Sequence, residues 1–463
     1  MGPRPGSHTR PLRVAIVGAG PAGFFTAEAL LKQPGLTCSI DLFNRLPTPY
    51  GLVREGVAPD HASIKKVTAK FDGVAEMPSV RYFGNVDFGR DVTRADLKAR
   101  YDQIVYAVGA QSDRQLGIPG EDLAGSHPAT IFVGWYNGHP DHADLDFDLS
   151  GERAIVVGNG NVAVDVARIL VSSPDALART DIADRALEAL RGSRVREVLM
   201  LGRRGPAQAK FTSAELKELG KLEGVDVIVD REDLDLDPDS QAALEGDRVA
   251  GRNLEILSEF AEREPAAHRR LVLRFLTSPV KILGGDGRVE RARLERNRLV
   301  PGPDGGLRSE GTGRVEEIAA GLVLRSVGYR GVPVADVPFD AAGGVIPNRA
   351  GRVTAEPGGP VLPGEYAVGW IKRGPTGIIG TNKPDAVETV RAMVEDLEAG
   401  PEREASGDGG GSIEELLAGR GVAFVTWEDW KKLDEEERRR GRAQGRPRVK
   451  ITNVDEMLEL IGR

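Results

Sequence analysis

Thiols are all but missing from this chain of 463 residues: Cys38, in the strand-like stretch TCSIDLF, is the only one. A single thiol excludes an intrachain disulfide, a CxxC redox pair and a four-thiolate iron-sulfur site. Dithiol reductases and iron-sulfur-bearing subunits fall with them, and Cys38 reads as a small buried strand residue of a protein in a reducing compartment. The basic leader MGPRPGSHTRPLR lacks the apolar segment of a secretory signal, and no later apolar run is long enough to span a bilayer. The expectation is a soluble, cytoplasmic protein without a membrane partner. An excess of basic charge is lacking too: 62 Lys and Arg stand against 70 Asp and Glu, for a formal net charge of -8. That balance argues against general nucleic-acid binding while leaving room for local basic patches. Neither a solenoid-period repeat nor a coiled coil is visible, so a monomer is expected. What remains, 40% hydrophobic and 29% charged residues, is ordinary for two or three globular domains.

Two segments repeat one pattern, a short apolar strand, a glycine-punctuated turn and a helical stretch. They are RVAIVGAGPAG (13–23) and RAIVVGNGNVA (153–163), each the opening of a βαβ unit. The fold expected is α/β, with two Rossmann-like dinucleotide-binding domains. The strand-like runs YDQIVYAVGA (101–110) and GLVLRSVGYRG (321–331) mark crossings, so the second domain is inserted in the first. The boundaries expected are a flexible leader 1–12, a first domain in parts 13–110 and 322–463, and an inserted domain 111–321. Within the insert, LVPGPDGGLRSEGTGR (299–314) reads as a hairpin or surface loop. After residue 400, GPEREASGDGGGS reads as a linker to a helical tail. In that tail Ser412 with Glu415 and Thr426 with Asp429 have capping-box spacing, Trp427, Trp430 and Leu433 recur at packing intervals, and DEEERRRGR (434–442) reads as a solvated helix face.

In GAGPAG, Gly18 permits a tight turn, Gly20 lets the backbone approach a pyrophosphate, and Gly23 lets helix and strand pack closely, with Pro21 and Ala22 opening the helix. The acidic ribose partner of such a site belongs at the end of the next strand, where this chain has Asn44; its amide can still meet a ribose hydroxyl. The second fingerprint, Gly158-Asn159-Gly160-Asn161-Val162-Ala163, carries alanine at its third small position. Downstream, Arg203 and Arg204 in GRRGP follow an apolar strand. Sites for NAD keep an acid at such a strand end, whereas paired guanidinium forks suit the 2'-phosphate of NADP. The loop HPDHADLD (139–146) has two histidines and three acids but no second ligand cluster, and no metal is assigned.

Four longer segments now carry a resemblance: PYGLVREGVAPDH (49–61), GNGNVAVDVAR (158–168), GRRGPAQAKFTSAEL (202–216) and GWIKRGPTGIIGTNK (369–383). With GNVDFG (84–89), they resemble the adrenodoxin reductase type of ferredoxin-NADP reductase over nearly the whole chain. The resemblance implies that FAD meets Gly51, Leu52, the backbone of Val86, Trp370 and the amides of Gly377 and Ile378. It implies that NADP(H) meets Asn159 to Val162, Arg203, Arg204, Glu215, Arg114 and Gly377. The family usually has glutamate where Asn44 stands. In the family the positions of His61 and Asp165 approach each other beside the flavin, which implies a proton-relay or positioning role. Read on their own, Asp165 complements a helix dipole and His61 is a core histidine. Arg248 and Arg252 in GDRVAGRN lie where the family docks its carrier, and equally fit a solvated helix face.

The function expected is an FAD flavoprotein passing electrons from NADPH to an acidic, ferredoxin-like one-electron carrier. The glycine-rich GPTGIIG offers backbone N–H groups where a reduced flavin gathers negative charge. A flavin-dependent monooxygenase and a flavin- and NADPH-binding sensor or scaffold are the alternatives.

Overall fold

A computed structural model describes residues 5–303, 305–400 and 411–463, and divides the chain into two compact units. The first comprises Met1–Val57, His61–Ser112 and Tyr329–Arg463. Its centre is the strand Leu12–Val17, which pairs in parallel with Cys38–Phe43 on one side and Gln103–Tyr106 on the other. Val80–Phe83 extends one edge, and Val361–Ala367, Arg352–Thr354 and Asn348–Arg349 extend the other. Alternation along the central strand sends Val14 and Ile16 into one apolar cluster and Ala15 and Val17 into a second. Both faces are covered, so the strand reads as a continuous apolar run. Cys38 is buried in the first cluster, and burial pushes its thiol up to about 11, so it stays protonated and inert at neutral pH.

The tail belongs to this unit. Both capping boxes form, at Ser412–Glu415 and Thr426–Asp429. The helix Trp427–Ala443 drives Trp427, Trp430 and Leu433 into the first cluster, while Ile413 and Leu417 enter the second. The linker expected from residue 400 lies, but for its ends, outside the described residues.

The second unit comprises Asp113–Gly328 with Ala58–Asp60. Its parallel sheet runs in the order Ser126–Pro128, Leu322–Arg325, Arg153–Val157, Glu197–Leu201, Arg269–Arg274, Val225–Val229. Beside it stands an antiparallel sheet of Thr277–Gly285, Arg288–Pro301 and Leu307–Ala319. From the Gly/Pro-rich stretch, residues 299–301 and 307–314 lie in its last two strands, which pair antiparallel with Pro301 opposite Leu307.

Two expected boundaries move. Leu322–Arg325 pairs with Ala154–Val157 in the inserted sheet, so the chain leaves that unit after Gly328 instead of at 321. An apolar run of this kind fits either sheet, and only pairing decides between them. Residues 5–12, expected in a flexible leader, are tied down. Thr37 N–H donates to the Gly6 carbonyl at 2.9 Å, Leu12 N–H donates to the Thr37 carbonyl at 2.8 Å, and Arg10 lies 3.8 Å from Asp102. No helix among the described residues is long and apolar enough to cross a membrane.

Candidate functional site

The strand Leu12–Val17 ends in a turn that requires glycine. Gly18 has φ +113°, and a Cβ there would lie 2.4 Å from the Ala107 carbonyl oxygen. A Cβ on Gly23 would lie 2.1 Å from the Gly18 oxygen, so the helix Pro21–Leu31 packs against the turn only while this position stays bare. Gly20 caps that helix with no side-chain hydrogen bond, Pro21 and Ala22 open it, and its first turn holds no acid. The leading backbone N–H groups are left for an anion in front of the turn. A second segment folds over it. Tyr50 N–H donates to the Ala19 carbonyl at 2.8 Å, and a Cβ on Gly51 would sit 3.1 Å from the Gly20 Cα. Leu52 then opens the short helix Leu52–Glu55.

Asn44 is tied into the same turn. Its Nδ2 donates to the carbonyls of Leu46 at 3.0 Å and Thr48 at 2.9 Å, while its Oδ1 accepts from Ala19 N–H at 3.2 Å. Both amide hydrogens are committed to bracing the turn, which leaves one Oδ1 lone pair for a ribose hydroxyl. A glutamate here would bring no hydrogens for those two carbonyls. Val86 N–H likewise donates to the Asn44 carbonyl at 2.9 Å, so only the Val86 carbonyl is left for a ligand.

In the carboxy-terminal part of the same unit, Trp370 Nε1 donates to the Thr376 carbonyl at 3.1 Å and its ring lies 5.1 Å from that of Tyr329. This shapes the loop that carries Gly377, at φ +82°. Ile378 N–H donates to Thr381 Oγ1 at 3.1 Å, so of the two amides expected to face a flavin only Gly377 lacks an acceptor among the described residues. Sequence reasoning missed Asp385, which accepts from Gly369 N–H at 2.5 Å and pairs with Lys372 at 2.8 Å. His61 is buried at the start of Ala62–Lys65.

The inserted unit repeats the cradle. Gly158 has φ +137° and a Cβ there would lie 2.1 Å from the Ser326 oxygen, whereas a Cβ on Gly160 would meet nothing within 4 Å. Gly160 caps the helix Asn161–Val171, again without a side-chain cap, and Val162 and Ala163 follow in its first turn. The turn is tied to the segment after Arg204. Asn161 Oδ1 accepts from Thr212 N–H at 2.8 Å, and the Asn159 carbonyl accepts from Lys210 and Phe211 N–H at 3.0 and 3.1 Å. Arg203 and Arg204 emerge just beyond Glu197–Leu201, and neither guanidinium has a partner among the described residues. Their carbonyls are pinned by Asn297 Nδ2 at 2.9 Å and Leu276 N–H at 3.0 Å. Burial, and then the adjacent Arg203 charge, lower the Arg204 pKa. Two like charges held side by side without an acid are suited to a dianion. Arg114, exposed near the crossing, donates its N–H to the Gly328 carbonyl at 2.9 Å.

Asp165 and Glu215 share a partner that sequence reasoning missed. Arg168, 2% exposed, donates to Asp165 Oδ1 at 2.8 Å, to Glu215 Oε2 at 3.4 Å and to Asp60 through two bonds at 2.7 and 3.0 Å. Burial alone would lower its pKa, but the bond to Asp60 and the charges of Asp165, Asp60 and Glu215 raise it above the ordinary arginine value. The signal was available, because Arg168 follows Asp165 by three positions in an apolar helix. Arg248 and Arg252 are exposed on the helix Arg248–Ala261, where Arg252 pairs with Glu255 and Arg248 has no partner among the described residues.

Residues 12–253 match a family model described as pyridine nucleotide-disulphide oxidoreductase. The chain is 50% identical over 460 residues to the NADPH-ferredoxin reductase FprA of Mycobacterium tuberculosis, covering 97% of this chain and 99% of that one. It is 44% identical over 463 residues to the mitochondrial NADPH:adrenodoxin oxidoreductase of Homo sapiens, covering 97% and 92%. Among solved structures, Mycobacterium tuberculosis FprA in complex with NADPH matches with a TM-score of 0.93 at 50% identity, covering 98% of this chain and all of that one.

Proposed function

Because this chain belongs to the family of NADPH-ferredoxin and adrenodoxin reductases, we propose that the Gly18–Gly23 cradle binds FAD and the Gly158–Ala163 cradle binds NADPH. The observation that carries the assignment is the Arg203 and Arg204 pair beside the second cradle, unpartnered among the described residues, which show no such pair beside the first. The chain is a flavoprotein oxidoreductase, and family membership selects electron transfer over the monooxygenase and sensor alternatives. FAD, when bound, supplies the capacity to take two electrons together and release them singly.

The protein's own contributions are binding, orientation and charge placement. The first N–H groups of Pro21–Leu31 hold a pyrophosphate, with Gly51 and Leu52 folded over it. The Val86 carbonyl, the remaining Asn44 Oδ1 lone pair and Trp370 place the rest of the FAD, and the Gly377 N–H stabilises negative charge on the flavin ring. Arg203 and Arg204 hold the 2'-phosphate; Asn159 to Val162, Arg114, Glu215 and Gly377 complete the NADP(H) contacts. His61 and Asp165 serve as a proton relay or as positioning residues. Cys38, the only thiol in this sequence, cannot build an iron-sulfur or dithiol centre, and a separate, acidic, ferredoxin-like carrier takes the electrons. The protein acts as a cytoplasmic monomer. NADPH-driven cytochrome c reduction, with and without purified ferredoxin, tests the reading on protein whose released flavin has been identified. The expected result is FAD and carrier-dependent turnover. Release of FMN, or NADPH consumption that follows an organic substrate and ignores every carrier, would overturn it.

Arg248 is proposed as part of the carrier's docking surface, with Arg252 beside it. A cation at the first position of a helix opposes the helix dipole, so helix stability does not explain Arg248. Carrying Arg248→Glu and Arg252→Glu together should slow ferredoxin-mediated cytochrome c reduction by lowering association, and should flatten its salt dependence. Reduction of ferricyanide by NADPH should survive, since that acceptor needs no docking surface. Unchanged ferredoxin kinetics would place docking elsewhere; equal loss with ferricyanide would indicate damage at the flavin.

A further inference from the structure

The segment that closes over the first glycine turn is held from behind by the tail. Tyr50 sits at φ +84°, a left-handed conformation unfavourable for a tyrosine that persists only where its surroundings impose it. Those surroundings are specific. Trp430 Nε1 donates to the Tyr50 hydroxyl at 3.1 Å, that hydroxyl donates to Asp72, and the rings of Trp427 and Trp430 stand edge-on to Tyr50 at 6.4 and 5.7 Å. Four residues on, Arg54 is buried and directs both Nη atoms at Glu437, with Nη1 to Oε2 at 2.9 Å, while its guanidinium lies 5.3 Å from the Trp430 ring. Glu437 is 1% exposed and also accepts from Arg448 Nη1 at 3.0 Å and Ile451 N–H at 2.9 Å. Lys450 Nζ closes the circuit on the Arg54 carbonyl at 3.0 Å.

Residues 50 and 54 therefore bracket Gly51 and Leu52, and each is fastened to the helix Trp427–Ala443. A buried ion pair with packed aromatic rings is an expensive way to stabilise a fold, because apolar side chains of equal volume do as well. What it adds is a fixed position, since a bidentate guanidinium–carboxylate pair tolerates little displacement. We propose that Trp430 and Glu437 are positioning residues for the flavin, acting through Tyr50 and Arg54 to hold Gly51 and Leu52 against the Gly20 turn. The inference rests on the reading that this turn binds FAD.

The test uses the flavin-loaded full chain and the variants Glu437→Gln and Trp430→Phe. The first removes one charge at constant volume, and the second removes one N–H donor while keeping an aromatic ring. Flavin release after dilution, the visible circular dichroism of the bound flavin, and the KM for NADPH are measured beside global unfolding. Expected are at least tenfold faster release by Glu437→Gln, a smaller acceleration by Trp430→Phe, altered flavin dichroism in both and an unchanged KM. Wild-type release rates and dichroism in the variants would overturn the proposal, as would release that merely tracks global unfolding. Should Glu437→Gln give no folded holoenzyme, Trp430→Phe decides by the same criteria. A wild-type protein that holds no FAD would instead overturn the cofactor assignment, so the two failures are distinguishable.

Discussion

Replacing Arg203 and Arg204 together by alanine raises the KM for NADPH about a hundredfold or more and leaves the kinetics with NADH nearly unchanged. Each charge-assisted bond to a 2'-phosphate contributes about 1.5–3 kcal/mol, and two of them amount to at least two decades in affinity. The loss falls on KM, because the 2'-phosphate is remote from the reacting carbon and is held alike before and during the reaction. NADH has no such phosphate and loses nothing. The substitution should also be gentle on the fold, since both carbonyls stay pinned by Asn297 and Leu276 and neither guanidinium has a partner among the described residues to strand. Steady-state kinetics with both coenzymes decides the matter. Equal loss with NADPH and NADH would show that the arginines support the protein and do not read the phosphate.

The two cradles were legible because their requirements are local. A left-handed φ at Gly18 and Gly158, and close approach at Gly23, are imposed by atoms within the same strand–turn–helix unit or the neighbouring strand, and glycine reports such demands directly. The capping boxes at Ser412 and Thr426 were legible for the same reason, with partners three residues apart. Partners far apart in the chain were not. Arg54 meets Glu437 across 383 positions and Arg168 meets Asp60 across 108, and nothing in either neighbourhood names the other. The strand Leu322–Arg325 shows a subtler limit, because its apolar run announces a buried strand without naming its sheet. Asn44 shows another, since its position by the turn was readable while its commitment to the Leu46 and Thr48 carbonyls depended on how the following loop folds back.

Arg168 is the residue whose loss the inserted unit should tolerate least. One guanidinium, 2% exposed, serves the carboxylates of Asp60, Asp165 and Glu215. Arg168→Leu keeps most of the volume and removes the guanidinium that these three acids share, and breaking a buried ionic network in this way costs about 3–5 kcal/mol. For a unit of this size the unfolding midpoint should fall by roughly 10 °C. The sign of the pH dependence is fixed. Without the shared cation, the mutual repulsion of the three crowded carboxylates makes them hold protons more tightly in the folded than in the unfolded state, so the variant is least destabilised at acid pH and loses stability as pH rises. The gap between wild type and variant should therefore be small near pH 5 and wide at pH 8. Arg168→Lys retains a charge but not the three-way fork, and should recover part of the gap at pH 8. Thermal unfolding of the three proteins at both pH values checks this. An equal gap at pH 5 and pH 8 would mean that Arg168 stabilises the unit by packing its aliphatic stem, and that the acids around it carry no mutual repulsion for it to relieve.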